Sequence, residues 1–160
     1  MSVAQDKQQI YLDYAATTPV DPRVRDRMLP LLDNDSGFGN PSSVTHRYGL
    51  VAAAAVEDAA ADVAGLINAT PEEIVWTSGA TEANNLAIIG SARFRESRGR
   101  HLVTMKTEHK SVLGSCEWLE NQGYEVTYLK PDSDGLLAID HLAAAMRPDT
   151  ILVSVMHANN

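Results

Sequence analysis

The chain of 160 residues has one cysteine, Cys116, so it cannot close an internal disulfide, and a reducing compartment is expected. Positive charge is also scarce. Thirteen Lys and Arg face 21 Asp and Glu, a formal net charge of -8, and no basic stripe is present of the kind that tracks nucleic acid or an anionic membrane surface. Direct nucleic-acid and membrane partners are therefore not expected, and a small substrate or a soluble partner is. No apolar run approaches the roughly 18 residues that span a bilayer. The opening MSVAQDKQQ lacks the basic and apolar regions of a secretory leader, which makes a cytoplasmic protein the expectation. The histidines, His46, His101, His109, His141 and His157, show no HExxH spacing, and Cys-x-x-Cys is impossible, so no metal site is expected. Repeats and low-complexity linkers are missing as well.

What is present is the composition of a globular domain, with 44% hydrophobic residues in a chain long enough to bury a core. Residues 1–20 read as an irregular segment. Helical patterns are then expected over 22–32, 45–67, 78–95, 111–121 and 139–146, and strands over 73–77, 101–105, 125–129 and 150–156. In the second helix, Val51, Ala55, Val63 and Leu66 fall near one face while Glu57, Asp58 and Asp62 should stay wet. Strands separated by helices of this length imply an α/β fold with mostly parallel pairing and right-handed crossovers. Ligands of such sheets collect at the carboxyl ends of the strands.

Three of those ends carry polar chemistry. In TSGAT (77–81), Gly79 and Ala80 leave the backbone uncluttered at a helix start. Free N–H groups with the hydroxyls of Ser78 and Thr81 can hold a phosphate, or the segment can be a plain helix cap with Glu82 complementing the dipole. The glycine spacing and the Lys-Ser/Thr ending of a P-loop are missing. In TEHK (107–110), His109 can stack on a flat ring, exchange protons, or cap the turn. Lys110 reads as a solvated helix-surface lysine. In HANN (157–160), Asn159 and Asn160 can bond a ligand oxygen or form a turn. Cys116, near Val112 and Leu119 on one helix, reads as a buried small hydrophobe and not as a nucleophile.

Five segments in order, YLDYAATTP (11–19), GNPSS (39–43) with His46 and Gly49, IVWTSGATE (74–82), TEHK (107–110) and MHANN (156–160), resemble the cysteine desulfurases. These are pyridoxal-phosphate enzymes of the class-V aminotransferase-like family, and the resemblance is to the housekeeping type that serves iron-sulfur cluster assembly. It runs essentially end to end. It implies the fold type I of pyridoxal-phosphate-dependent transferases: a three-layer, mostly parallel sheet, here an incomplete large domain, with 1–20 as its irregular lead and 21–160 as its N-terminal portion. It implies pyridoxal 5'-phosphate as cofactor, with Ala80 and Thr81 on the phosphate, His109 over the ring as stack and proton shuttle, and Asn160 on the ring-hydroxyl side. Segments 15–18 and 40–46 resemble parts near the active-site mouth and subunit interface.

The implied reaction takes sulfur from L-cysteine, leaving L-alanine and an enzyme persulfide for iron-sulfur clusters and tRNA. The implied partners are a second copy in a homodimer, iron-sulfur scaffolds and other sulfur-acceptor proteins. Four family roles have no residue here: the aspartate on the pyridine nitrogen, the Schiff-base lysine, the persulfide-bearing cysteine and the arginine on the substrate carboxylate. The chain is thus expected to be an N-terminal fragment, inactive alone. The alternatives are another class-V enzyme, such as a selenocysteine lyase or an aminotransferase, and a non-catalytic truncated scaffold.

Overall fold

The computed structural model of the protein describes residues 10–14, 16–33 and 37–158. It divides into two compact units, Met1–Trp76 and Thr77–Asn160.

In the first unit, Pro22 presets the backbone at the first position of helix α1 (Pro22–Met28), and Asp21 caps it by accepting the Arg23 N–H at 2.8 Å. Pro30 has no N–H to give an α-helical bond, so the helix tightens into a 3-10 turn, Leu29–Leu31. Helix α2 (Arg47–Ile67) is the alanine-rich stretch. His46 caps its start, with Nδ1 accepting the Gly49 N–H at 3.2 Å, and Asn68 ends it in the left-handed conformation at φ 56°. A Cβ on Gly49 would stand 1.8 Å from the Ser43 carbonyl oxygen, so the 39–43 loop rests directly on the first turn of α2.

The buried positions of α2 are Gly49, Ala52, Ala60 and Ala64, and the three alanines lie multiples of four apart on one face. Of the residues expected on the inward face, Val51, Val63 and Leu66 are exposed and Ala55 is half-buried, while Glu57, Asp58 and Asp62 are exposed as expected. Small side chains form the close-packed stripe, and the larger ones stand beside it. Along this face Ala52, Ala55 and Val56, with Leu31 and Trp76, line an apolar cleft of about 520 Å3.

The strand expected over 73–77 is not formed. A 3-10 turn occupies Pro71–Glu73, fixed by the Glu73 carboxylate accepting the Thr70 N–H at 2.8 Å, and the chain then runs extended from Ile74 (φ -89°, ψ 121°). An extended segment becomes a strand only through a neighbour's hydrogen bonds. Among the described residues none pairs with 74–77, and Val75 and Trp76 are exposed.

The second unit holds helix α3 (Ala80–Phe94), strand β1 (His101–Met105), helix α4 (Lys110–Glu120), strand β2 (Glu125–Leu129), helix α5 (Ile139–Ala145) and strand β3 (Thr150–Ser154). All pairing is parallel in the order β2-β1-β3, with His101 opposite Glu125 and Met105 opposite Leu129, and one irregularity against β3 after His101. Central β1 is buried at every position, as a strand covered on both faces must be. Its alternation divides the core. Leu102 packs with Ile88, Ala92, Val112, Cys116 and Leu119 of α3 and α4, whereas Val103 and Met105 pack with Leu129, Leu142 and Ala145 on the α5 side. The result is three layers, helix, sheet and helix, in this unit. Each buried leucine of this core contributes about 1.5–3 kcal/mol.

His101 anchors the amino edge of the sheet. It is fully buried, with Nδ1 2.7 Å from Thr150 Oγ1 and Nε2 2.9 Å from Thr127 Oγ1, so one imidazole joins β1 to both neighbours. Burial, with the Arg147 cation as a smaller influence, lowers its affinity for a proton below the ordinary imidazole's.

Candidate functional site

From β1 the chain passes through α4 to β2 on one side, then through α5 to β3 on the other, so strand order reverses at β1. A parallel sheet opens a crevice at the carboxyl ends of its strands at such a reversal. Helix α3 brings its first turn there. Its last turn leads through the 3-10 turn Glu96–Arg98 into the amino end of β1, which leaves Ala80 at the opposite, carboxyl edge.

The start of α3 is built from a glycine and left uncapped. Gly79, at φ 157° and ψ -179°, adopts a backbone conformation that side chains disfavour, and no side chain caps the helix. Ala80 and Thr81 are the first and second helical residues. Their N–H groups have no intrahelical acceptor, and the helix dipole adds positive potential there. The hydroxyl of Ser78, which the sequence offers to an anion, is engaged otherwise: Glu82 accepts both the Ser78 N–H and its hydroxyl, each at 2.6 Å. These bonds hold the Glu82 carboxyl below the usual carboxylate range. The anion-binding capacity therefore lies in the backbone of the first turn and not in Ser78.

His109 is the N-cap of α4 and is exposed. Its Nδ1 accepts the Ser111 N–H at 3.2 Å and lies 2.8 Å from Ser111 Oγ. Asn84, on the second turn of α3, donates from Nδ2 to the same Ser111 Oγ at 2.8 Å. The uncapped helix end and the imidazole are thus brought to one edge of the sheet and tied through Asn84 and Ser111. Sequence reading missed both residues. The available signals were an asparagine on a helix face turned toward a neighbour and a serine two places after a capping histidine.

Glu108 was missed too. It is buried, and its Oε1 accepts the Met156 N–H at 2.6 Å, joining the exit of β1 to the exit of β3 and so placing the segment that leads to His157 and Ala158. Asn160, expected at the cofactor's ring-hydroxyl side, lies outside the described residues, as do Asn159 and Ala15. Lys110 opens α4 and is exposed, as expected of a surface lysine. Cys116 is buried, and burial pushes its thiol up to about 11, so it carries no thiolate near neutral pH. Among the described residues no three His, Cys, Asp or Glu side chains converge as a metal site would require.

The residues fit a phosphorylated flat-ring cofactor. Uncapped N–H groups with the positive end of a helix dipole suit a phosphate, and an exposed imidazole beside them suits a planar ring. A parallel α/β unit of this kind is the fold type I of the pyridoxal-phosphate-dependent enzymes, which the solved relatives share. Residues 10–160 match the family model for class-V aminotransferases, and the chain belongs to that family.

The chain is 60% identical over 154 residues to the cysteine desulfurase IscS of Tolumonas auensis, covering 96% of this chain and 38% of the relative. Among solved structures it resembles SspA in complex with cysteine, at 42% identity and a TM-score of 0.83 over 93% of this chain and 42% of the other. It also resembles DndA from Streptomyces lividans, at 44% identity and a TM-score of 0.78 over 94% and 42%. The chain therefore spans about two fifths of the length of the relatives it matches.

Proposed function

We propose that these residues belong to a cysteine desulfurase that removes sulfur from L-cysteine with pyridoxal 5'-phosphate as cofactor. The observation that carries the reading is the uncapped first turn of α3 tied to His109 through Asn84 and Ser111. The desulfurase relatives, and the cysteine bound in one solved relative, support it. Residues 21–160 are the N-terminal portion of the cofactor-binding large domain.

Ala80 and Thr81 bind the cofactor phosphate through their backbone N–H groups. His109 would face the cofactor's ring, exclude water from it, and exchange a proton with substrate at Nε2. Asn160 would contact the cofactor's ring-hydroxyl side. The cofactor, when bound, supplies an electron sink at the substrate's α-carbon. In the balanced reaction the Cβ–S bond of L-cysteine breaks, sulfur joins an enzyme thiol as a persulfide, and the carbon skeleton leaves as L-alanine. The buried Cys116 is not that thiol. The sulfur-bearing cysteine, the Schiff-base lysine, the aspartate on the pyridine nitrogen and the arginine on the substrate carboxylate fall on residues of the full-length protein outside this sequence. The working protein is a cytoplasmic homodimer that hands sulfur to iron-sulfur scaffolds and other acceptor proteins, including those that modify tRNA.

The test is full-length protein with pyridoxal phosphate, L-cysteine and a thiol reductant. Alanine and sulfide should appear in equal amounts, and His109→Gln should lower kcat by about 10²–10⁴-fold while the cofactor stays bound. Formation of a keto acid instead of alanine would contradict the reading.

A further inference from the structure

We infer that Ser111 and Asn84 are positioning residues that hold the neutral imidazole of His109 in its Nε2–H tautomer. The inference rests on the reading of His109 as the cofactor-facing imidazole and adds the device that orients it.

The Ser111 backbone N–H can only donate, and it points at His109 Nδ1 from 3.2 Å, so Nδ1 must accept and carries no proton. The Ser111 hydroxyl lies nearer, at 2.8 Å from the same nitrogen. With Nδ1 unprotonated, that contact is a hydrogen bond only if the hydroxyl is the donor. Asn84 then completes the order, because its Nδ2 donates to the oxygen of Ser111 at 2.8 Å and occupies a lone pair there. The proton of the neutral ring resides on Nε2.

The arrangement also fixes the ring in space. Asn84 and Ser111 are half-buried between α3 and α4, in contrast to the exposed His109, so the exposed imidazole is held by a bond that crosses two packed helices. Nδ1 is turned into the first turn of α4, and the protonated Nε2 is the nitrogen left to meet a ligand at the sheet edge. A capping histidine alone would need only the backbone contact. The hydroxyl and amide behind it act on the ring's tautomer and orientation.

The test is nitrogen NMR of full-length holoprotein labelled with 15N-histidine, with the His109 signals identified by their loss in His109→Gln. In the unsubstituted protein Nδ1 should give the signal of an unprotonated ring nitrogen and Nε2 that of a protonated one. Ser111→Ala keeps the backbone donor but loses the shorter bond, and should shift the tautomer ratio toward Nδ1–H by about 2- to 10-fold. Asn84→Ala should move the same signals in the same direction by less, and Ser111→Thr, which keeps the hydroxyl, should restore them. A purely structural role would not move the ring signals this way. In turnover, Ser111→Ala should lower kcat by a similar factor with cofactor absorbance unchanged. A protonated Nδ1 in the unsubstituted protein, or ring signals unaltered by Ser111→Ala, overturns the inference. If the cofactor fails to bind while His109 is found as Nε2–H, the functional reading fails and the positioning stands. If cysteine is desulfurated with Nδ1 protonated, the positioning alone fails.

Discussion

Acidification should loosen the centre of the sheet through His101. The imidazole is fully buried, accepts and donates one bond each through Thr127 and Thr150, and has its proton affinity lowered from the ordinary value of 6.5, first by burial and then by Arg147. Because the folded value lies below the unfolded one, the unfolded chain takes up a proton first as pH falls. Stability is therefore intact above about 6.5, declines between 6.5 and the lowered folded value, and levels off below it. Within that window one proton separates the two states, so the opening free energy falls by about 1.4 kcal/mol per pH unit, or tenfold in the opening equilibrium. The nearby Asp149 has its carboxyl lowered from 3.8 by Arg147, so its contribution disappears only at lower pH and leaves the window to His101.

The assay is hydrogen exchange at the amides of Leu102 to Thr104 in the full-length protein between pH 8 and 5, corrected for intrinsic exchange. Protection should be flat from 8 to about 6.5 and then fall by up to tenfold per unit. His101→Gln should remove most of the slope, at a cost at pH 8 of about 1–3 kcal/mol for two weakened hydrogen bonds. Protection that is level throughout, or that rises on acidification, would refute the reasoning.

Other positions yield sharper single outcomes. Cys116, with its thiol pushed up to about 11 in the core, should resist alkylation at pH 8 in the native protein and react at once in denaturant; rapid native labelling, read by mass spectrometry, would contradict its burial. Thr104 Oγ1 is buried with no partner among the described residues, so Thr104→Val should be neutral or stabilise by about 1 kcal/mol in a denaturation midpoint. A loss of that size would reveal a partner for the hydroxyl. Gly49→Ala gains about 1 kcal/mol of helix propensity but sets a Cβ 1.8 Å from the Ser43 carbonyl oxygen. The clash should win, and the melting temperature should fall.

Local pattern carried much of this structure into view. Strands β1 and β2 have the boundaries expected of them, α4 starts and ends one residue early, and α2 starts two residues late, because caps and apolar periodicity are written in neighbouring residues. The 73–77 strand failed for the opposite reason: β character at Ile74 and Val75 is local, whereas the partner that makes a strand is not. Burial on α2 was misjudged because periodicity locates a face without saying whether alanines or valines meet the neighbour. At the site, the start of α3 and the cap at His109 were legible as alternatives. Their connection through Asn84 and Ser111 was not, since it joins residues 27 apart across two helices. The same holds for Glu108, whose bond reaches 48 residues along the chain to Met156.

The central claim, that the first turn of α3 holds the cofactor's phosphate through its backbone, is tested most directly by Ala80→Pro in the full-length protein. Proline is tolerated at the first helical position, where its fixed φ suits the helix and its missing N–H costs no intrahelical bond. The substitution therefore removes one donor to the anion and little else. A hydrogen bond to a charged group is worth about 1.5–3 kcal/mol, so the Kd for pyridoxal phosphate should rise by about 10- to 150-fold while the melting temperature of the cofactor-free protein stays unchanged. Unchanged affinity in a normally folded Ala80→Pro protein would contradict the account.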